Sequence, residues 1–352
     1  MLGNAELGIT GSKFTSSLSL YGGCIYAEDF STVLVESSDF TDSFSLLGGI
    51  MFIVMSEANF TECFFGNNNG ADPDTLSGFN TKFIAFTQEA SSGGVFTATL
   101  AHITMFKCIS VSNSAHSGKF YCISSMFYVY NILFCCPGGV MQLRYSSVIS
   151  TDSIYFNNSA YTGGLVHINA RSYVSFNRDR CQRNIAVNQG ALVFGVNFGV
   201  LIFDNVTIDA SNSFSDFHST LVFLSEGRFD LLSSFLGNPL NTTRSTTLDM
   251  KGLVLNIRDS EFRNFYGSGV GAIVRVLEGV ETNIHNCIFL NNVADLYGGA
   301  VAFSSSKNVS ISNCAFHGNT AKISGGAIFS QDSTLTVTNS IFRSNRAYLG
   351  EI

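Results

Sequence analysis

The chain has 352 residues, 45% of them hydrophobic and only 13% charged, with 33 Gly, 33 Phe, 3 Pro and no Trp. So apolar a composition excludes a disordered chain, and glycine without a three-residue period excludes collagen. A net charge of −7, with 19 Lys and Arg scattered singly, excludes the basic stripe of a nucleic-acid binder.

The opening residues Met1 to Thr10 show no basic region and no apolar core, so no signal peptide is visible. The most apolar stretches, Met126 to Phe134 and Ala191 to Phe203, are shorter than the roughly 20 residues of a membrane span. Asn197 also interrupts the second, and both are expected to be buried strands. The nine cysteines are an odd number, and they are not arranged as the paired ligands of a zinc site. Sequons at Asn59, Asn157, Asn205, Asn241 and Asn308 permit a secreted setting without showing one.

An internal repeat covers the whole chain. An aromatic or apolar position recurs at Phe14, Phe40, Phe65, Phe86, Ser110, Phe134, Tyr155, Cys181, Ile208, Phe235, Phe262, Phe289, Phe316 and Phe342. The steps are about 21–27 residues, within the range of solenoid repeats. They predict a single repeat domain, residues 1–352, of about fourteen coils. Around the later positions the pattern is explicit: Asn286-Cys-Ile-Phe289, Asn313-Cys-Ala-Phe316 and Asn339-Ser-Ile-Phe342, with Gly298-Gly299 and Gly325-Gly326 between.

Within a unit the apolar residues alternate, as at Leu253, Leu255 and Ile257, and period two means strand. The parity slips at Asp259, because Ser260 and Phe262 are the next inward candidates. A slip of one residue would turn the opposite face inward unless the chain bends there. Asp259 and its counterparts Asn205, Asn286, Asn313 and Asn339 are therefore predicted in tight corners, and Gly-Gly supplies another. A unit of this size cannot close a core alone, whereas stacked units can. The predicted fold is all-β: a right-handed, single-stranded parallel β-helix with an internal ladder of phenylalanine rings, on the order of 65 Å long at about 4.8 Å per rung. Cys287 and Cys314 fall above one another in this register, as a buried thiol rung in preference to a disulfide. The stretches Asn67 to Asn80 and Asn238 to Ser245 are expected to be outward loops that a partner could touch.

The pairing of GGA-[ILV] with F-x-x-N resembles the repeats of the polymorphic outer membrane proteins. The first half is matched by Gly298-Gly299-Ala300-Val301 and Gly325-Gly326-Ala327-Ile328, and more loosely by Gly163-Gly164-Leu165. The second is matched by Phe65 with Asn68, Phe235 with Asn238, Phe289 with Asn292, Phe316 with Asn319, and Phe342 with Asn345. The resemblance implies a pectin-lyase-like β-helix at a cell surface or outside the cell, and an adhesin or scaffold role toward host or neighbouring macromolecules, glycans included. It also suggests a piece of a longer protein, since Gly350-Glu351-Ile352 read like the opening of another coil.

The same architecture carries enzymes on polysaccharides, so a carbohydrate-active or carbohydrate-binding protein is the alternative. The densest charged run is Arg258, Asp259, Glu261 and Arg263, with Arg228 and Asp230 one coil earlier. It reads as a solvated edge. The six histidines form no set with Ser, Cys or Asp at catalytic spacing, and no phosphate loop is present. The expectation is a non-enzymatic segment with no catalytic residue, cofactor, metal or transmembrane span.

Overall fold

The computed structural model describes residues 2–70, 94–115, 140–168, 170–209, 220–237, 248–267, 269–271 and 273–348. Among these every regular element is a strand. One coil shows the plan. A first strand, Val301–Ser304, bends into a second, Val309–Ser312. A third, Ala315–His317, follows after a corner, and a short fourth, Thr320–Ala321, completes the turn. Each strand pairs in parallel with its equivalent one coil away, as Phe262 with Phe289 and Phe289 with Phe316. First and second strands build a 22-stranded sheet, third strands a 12-stranded sheet, and the fourth strands sheets of six and four. The fold is the parallel β-solenoid that the alternation predicts.

The corners follow the sequence. Asp259, Asn205, Asn286, Asn313 and Asn339 have φ of 50°, 54°, 52°, 54° and 48°. These short polar side chains tolerate the left-handed region and allow the parity slip to keep both flanking strands facing inward. In the Gly-Gly pairs the two glycines differ in role. Gly298 and Gly325 take positive φ, whereas Gly299 lies against the Gly326 carbonyl, where a Cβ has no room.

The inward position of the third strand forms one continuous column: Phe14, Phe40, Phe65, Ser110, Tyr155, Cys181, Ile208, Leu236, Phe262, Phe289, Phe316 and Phe342. Three details of the predicted register change. Twelve third strands, not fourteen coils, are present among the described residues. Phe65 pairs directly with Ser110, and Ser110 with Tyr155, so no further rung stands between them; Phe86 and Phe134 lie outside the described residues. These two coils span 45 residues each, as their asparagines show. Third, Phe235 points outward, 39% exposed, and Leu236 takes the column position.

The asparagine of F-x-x-N makes a ladder of its own. Asn292 Nδ2 donates to Asn319 Oδ1 at 2.9 Å and Asn319 Nδ2 to Asn345 Oδ1 at 3.0 Å. An equivalent run joins Asn68, Asn113, Asn158 and Asn184. Asn68 is fully buried, so the expected outward loop does not begin at Asn67. Residues 71–80 and 238–245 lie outside the described ones. Buried amides at this density must be paired to be tolerated, and each also receives a backbone N–H from the neighbouring coil, as Asn319 Oδ1 does from Asn292.

Candidate functional site

The outward rows of the second strands supply the richest polar surface. In register, one residue per coil, lie Asp230, Asn256, Asn283 and Ser310. Beside Asp230 on its own strand is Arg228, and beside Asn283 is Glu281. Outward placement follows from parity, because Leu255 and Ile257 on either side of Asn256 are buried in the core.

The row is hydrogen-bonded along the axis. Arg228 Nε donates to both oxygens of Asp230, at 3.0 and 2.9 Å. Asn256 Nδ2 donates to Asp230 Oδ1 at 2.7 Å. Asn283 Nδ2 donates to Asn256 Oδ1 at 3.1 Å and to Glu281 Oε1 at 2.8 Å. On the neighbouring row His285 Nδ1 meets Ser312 Oγ at 2.9 Å. The Arg228 side chain is 57% exposed and that of Asp230 only 10%. The carboxylate thus anchors a cation whose remaining donors are open to solvent. Asp230 raises the pKa of the Arg228 guanidinium further by accepting its hydrogen bond. The two carboxylates of the array, Asp230 and Glu281, stand two rungs apart. At about 4.8 Å per rung this is about 10 Å along the axis, well beyond the roughly 5–5.5 Å of a retaining glycosidase pair.

The charged run read from the sequence is divided by the fold. Asp259 sits in a corner and accepts from Asn286 Nδ2 at 2.6 Å. Glu261 pairs with Arg263 on the third strand, on a different face from Asp230. Only Arg228 and Asp230 of that run join the array. His285 and His317 also lie on different faces, on second and third strands. The contributions of Asn256 and Asn283 were missed, because residues 26 and 27 apart in sequence become neighbours only through the coil.

A second row, on the first strands, carries His167, Phe194, Phe223, Asp249 and Arg275. The rings stack on one another at 4.8 and 5.2 Å. Both faces of Phe194 and one face each of His167 and Phe223 are therefore occupied by a neighbouring ring. Burial raises the Asp249 pKa, and the Arg275 guanidinium, with Nη1 at 3.6 Å, offsets that rise only in part. Among the described residues no three His, Cys, Asp or Glu side chains converge as metal ligands.

No protein-family model matches the chain. No curated protein matches it. Among solved structures, a mannuronic acid specific polysaccharide family 6 lyase from human gut microbiota is similar over 95% of this chain and 91% of its own. The identity is 8% and the TM-score 0.40. The expectation of a non-enzymatic adhesin is corrected here. The matched protein is an enzyme, and no family model supports the outer-membrane repeat resemblance. The physical reason is that missing motifs on a coil that hosts many chemistries do not decide against activity. At that identity and score the match assigns this chain neither substrate nor site residues.

Proposed function

We propose that this chain is a carbohydrate-active β-helix whose second-strand face holds an extended polysaccharide along the solenoid axis. The observation that supports this reading is the axial row Asp230–Asn256–Asn283, flanked by Arg228 and Glu281. It offers amide, carboxylate and guanidinium groups once per rung, and a polymer of hydroxyl-bearing rings can meet such a row repeatedly. Each contact is weak, but several in line raise the overall affinity. The amides are already aligned by their bonds to each other, so little ordering remains to oppose binding.

The test is affinity electrophoresis of the full chain in gels containing uronate-rich or neutral polysaccharides. It is paired with assays for new reducing ends and for unsaturated products, which separate hydrolysis from elimination. Retarded migration in at least one polysaccharide is expected. It should weaken by up to about tenfold in Asn256→Leu, as loss of one or two net hydrogen bonds predicts. Unchanged retardation in Asn256→Leu, or neither binding nor cleavage across the series, overturns the reading.

A further inference from the structure

The position just before the third strand is a buried column of small side chains. Serine fills it at Ser38, Ser153, Ser234 and Ser260. Cysteine fills it in two pairs of adjacent coils: Cys63 with Cys108, and Cys287 with Cys314. The next residues of each pair, Phe64 with Ile109 and Ile288 with Ala315, are in register. Neighbouring strands lie about 4.8 Å apart, inside the roughly 4.4–6.8 Å Cα range of disulfides. All four are at most 2% exposed and are free thiols in this structure. Packing alone does not call for sulfur here, because serine occupies the same place in other coils. Each thiol donates to backbone carbonyls, as Cys63 Sγ does to Thr61 at 3.3 Å and Cys287 Sγ to His285 at 3.1 Å, and the partner thiol one coil away lowers the pKa of Cys63 and Cys314 and raises that of Cys108 and Cys287.

We propose that these two stacked pairs are redox-active and close into disulfides that staple neighbouring coils together. A low-molecular-weight disulfide such as oxidised glutathione is the oxidant, and it reaches these buried sulfurs when neighbouring coils open locally. The Cys314 thiolate attacks one of its sulfurs, forming a mixed disulfide and expelling one glutathione thiolate. The Cys287 thiolate then attacks Cys314 Sγ, closing the protein disulfide and expelling the second. Two protein thiols are oxidised, one glutathione disulfide is reduced, and two protons are released. Cys63 and Cys108 react likewise.

The full chain is equilibrated in glutathione buffers of increasing oxidation, quenched in acid, alkylated, digested and mapped by peptide mass. Cross-linked peptides Cys63–Cys108 and Cys287–Cys314 are expected, with four alkylatable thiols lost and a higher guanidinium midpoint than the reduced protein. In Cys314→Ser, where serine suits the column, only the Cys63–Cys108 link should form. Cys63→Ser gives the reciprocal result if the first variant fails to fold. Four alkylated thiols in the most oxidising buffer, or cross-links between the two pairs, overturn the proposal.

Discussion

The C-terminal coils and the middle coils solve the same packing problem with opposite distributions of volume. In the C-terminal coils Phe262, Phe289, Phe316 and Phe342 stack at 4.9, 4.8 and 4.9 Å with rings within 5° of parallel. The second-strand positions facing them hold the aliphatic residues Ile257, Ile284 and Ile311. In the middle the column narrows to Cys181 and Ile208, and the facing positions grow to Phe176 and Phe203. There the rings meet edge to face, Phe176 with Phe203 at 5.3 Å. The two positions touch: Ser150 Oγ and the Tyr155 hydroxyl lie 2.7 Å apart in one coil, and Phe60 and Phe65 meet at 5.5 Å in another. The C-terminal and middle coils thus trade volume between the two positions, as close-packed interiors require, whereas Phe60 and Phe65 are large at both and the next coil holds the smaller Met105 and Ser110.

The largest test of this contrast lies in the C-terminal stack. Phe289→Asp should abolish cooperative unfolding or the fold itself, because removing a buried aromatic alone costs about 3–5 kcal/mol and an unpaired charge adds to that. Leu290→Asp, on the partly exposed side of the same strand, should remain folded. Equal loss in circular dichroism melts would break the assignment of inward and outward faces.

The middle coils differ again in the small-residue column, where Asp179 stands in line with Ser153 and Ser234. It is 1% exposed, and burial pushes its pKa up to about 7 even though its oxygens accept the Ser153 and Asn177 amides. A carboxyl whose folded pKa exceeds its unfolded value of about 3.9 contributes its stability at low pH. That contribution is lost as pH rises through the folded value. The unfolding free energy of the native chain from denaturant titrations should therefore fall between about pH 4 and 7, by up to about 4 kcal/mol at 1.36 kcal/mol per unit. Asp179→Ser should flatten the profile over that window. An unchanged slope would show that Asp179 is not its source.

The smallest effect sharpens the volume argument. Cys181→Phe should overpack the middle coil against Phe176, at about 1–3 kcal/mol. Adding Phe176→Ile imports the C-terminal arrangement and should recover most of that loss. Strict additivity of the two changes in a double-mutant cycle would refute the compensation.

Where the sequence was legible, two independent signals agreed. Alternation placed Leu255 and Ile257 inward, and the slip at Asp259 demanded a bend that φ of 50° supplies. Where it misled, a signal was missing. Ser110, Cys181 and Ile208 fall in the column as the spacing predicts, but at the next coil Leu236 carries no mark of the repeat and the neighbouring aromatic, Phe235, draws the register off by one. The 45-residue coils are long enough to take two steps of the short repeat, which inserted Phe86 and Phe134. The polar array was hidden for a related reason. Adjacency along the chain grouped Asp259 and Glu261 with Asp230, whereas adjacency across rungs groups Asp230 with Asn256 and Asn283. An outward row can be read only once the inward column has been set in register.

One property of the coil reaches beyond its own stability. The intervals between Gly70 and Gly94, Ala115 and Val140, Asp209 and Thr220, and Gly237 and Leu248 all fall after a third or fourth strand and before the next first strand. Phe65, Ser110 and Tyr155 nevertheless keep their alignment across coils of 45 residues. The inward column thus sets the register whatever the number of residues a coil spends between its rungs, 26 between Phe14 and Phe40 and 45 between Phe65 and Ser110, so the interior is specified independently of coil length.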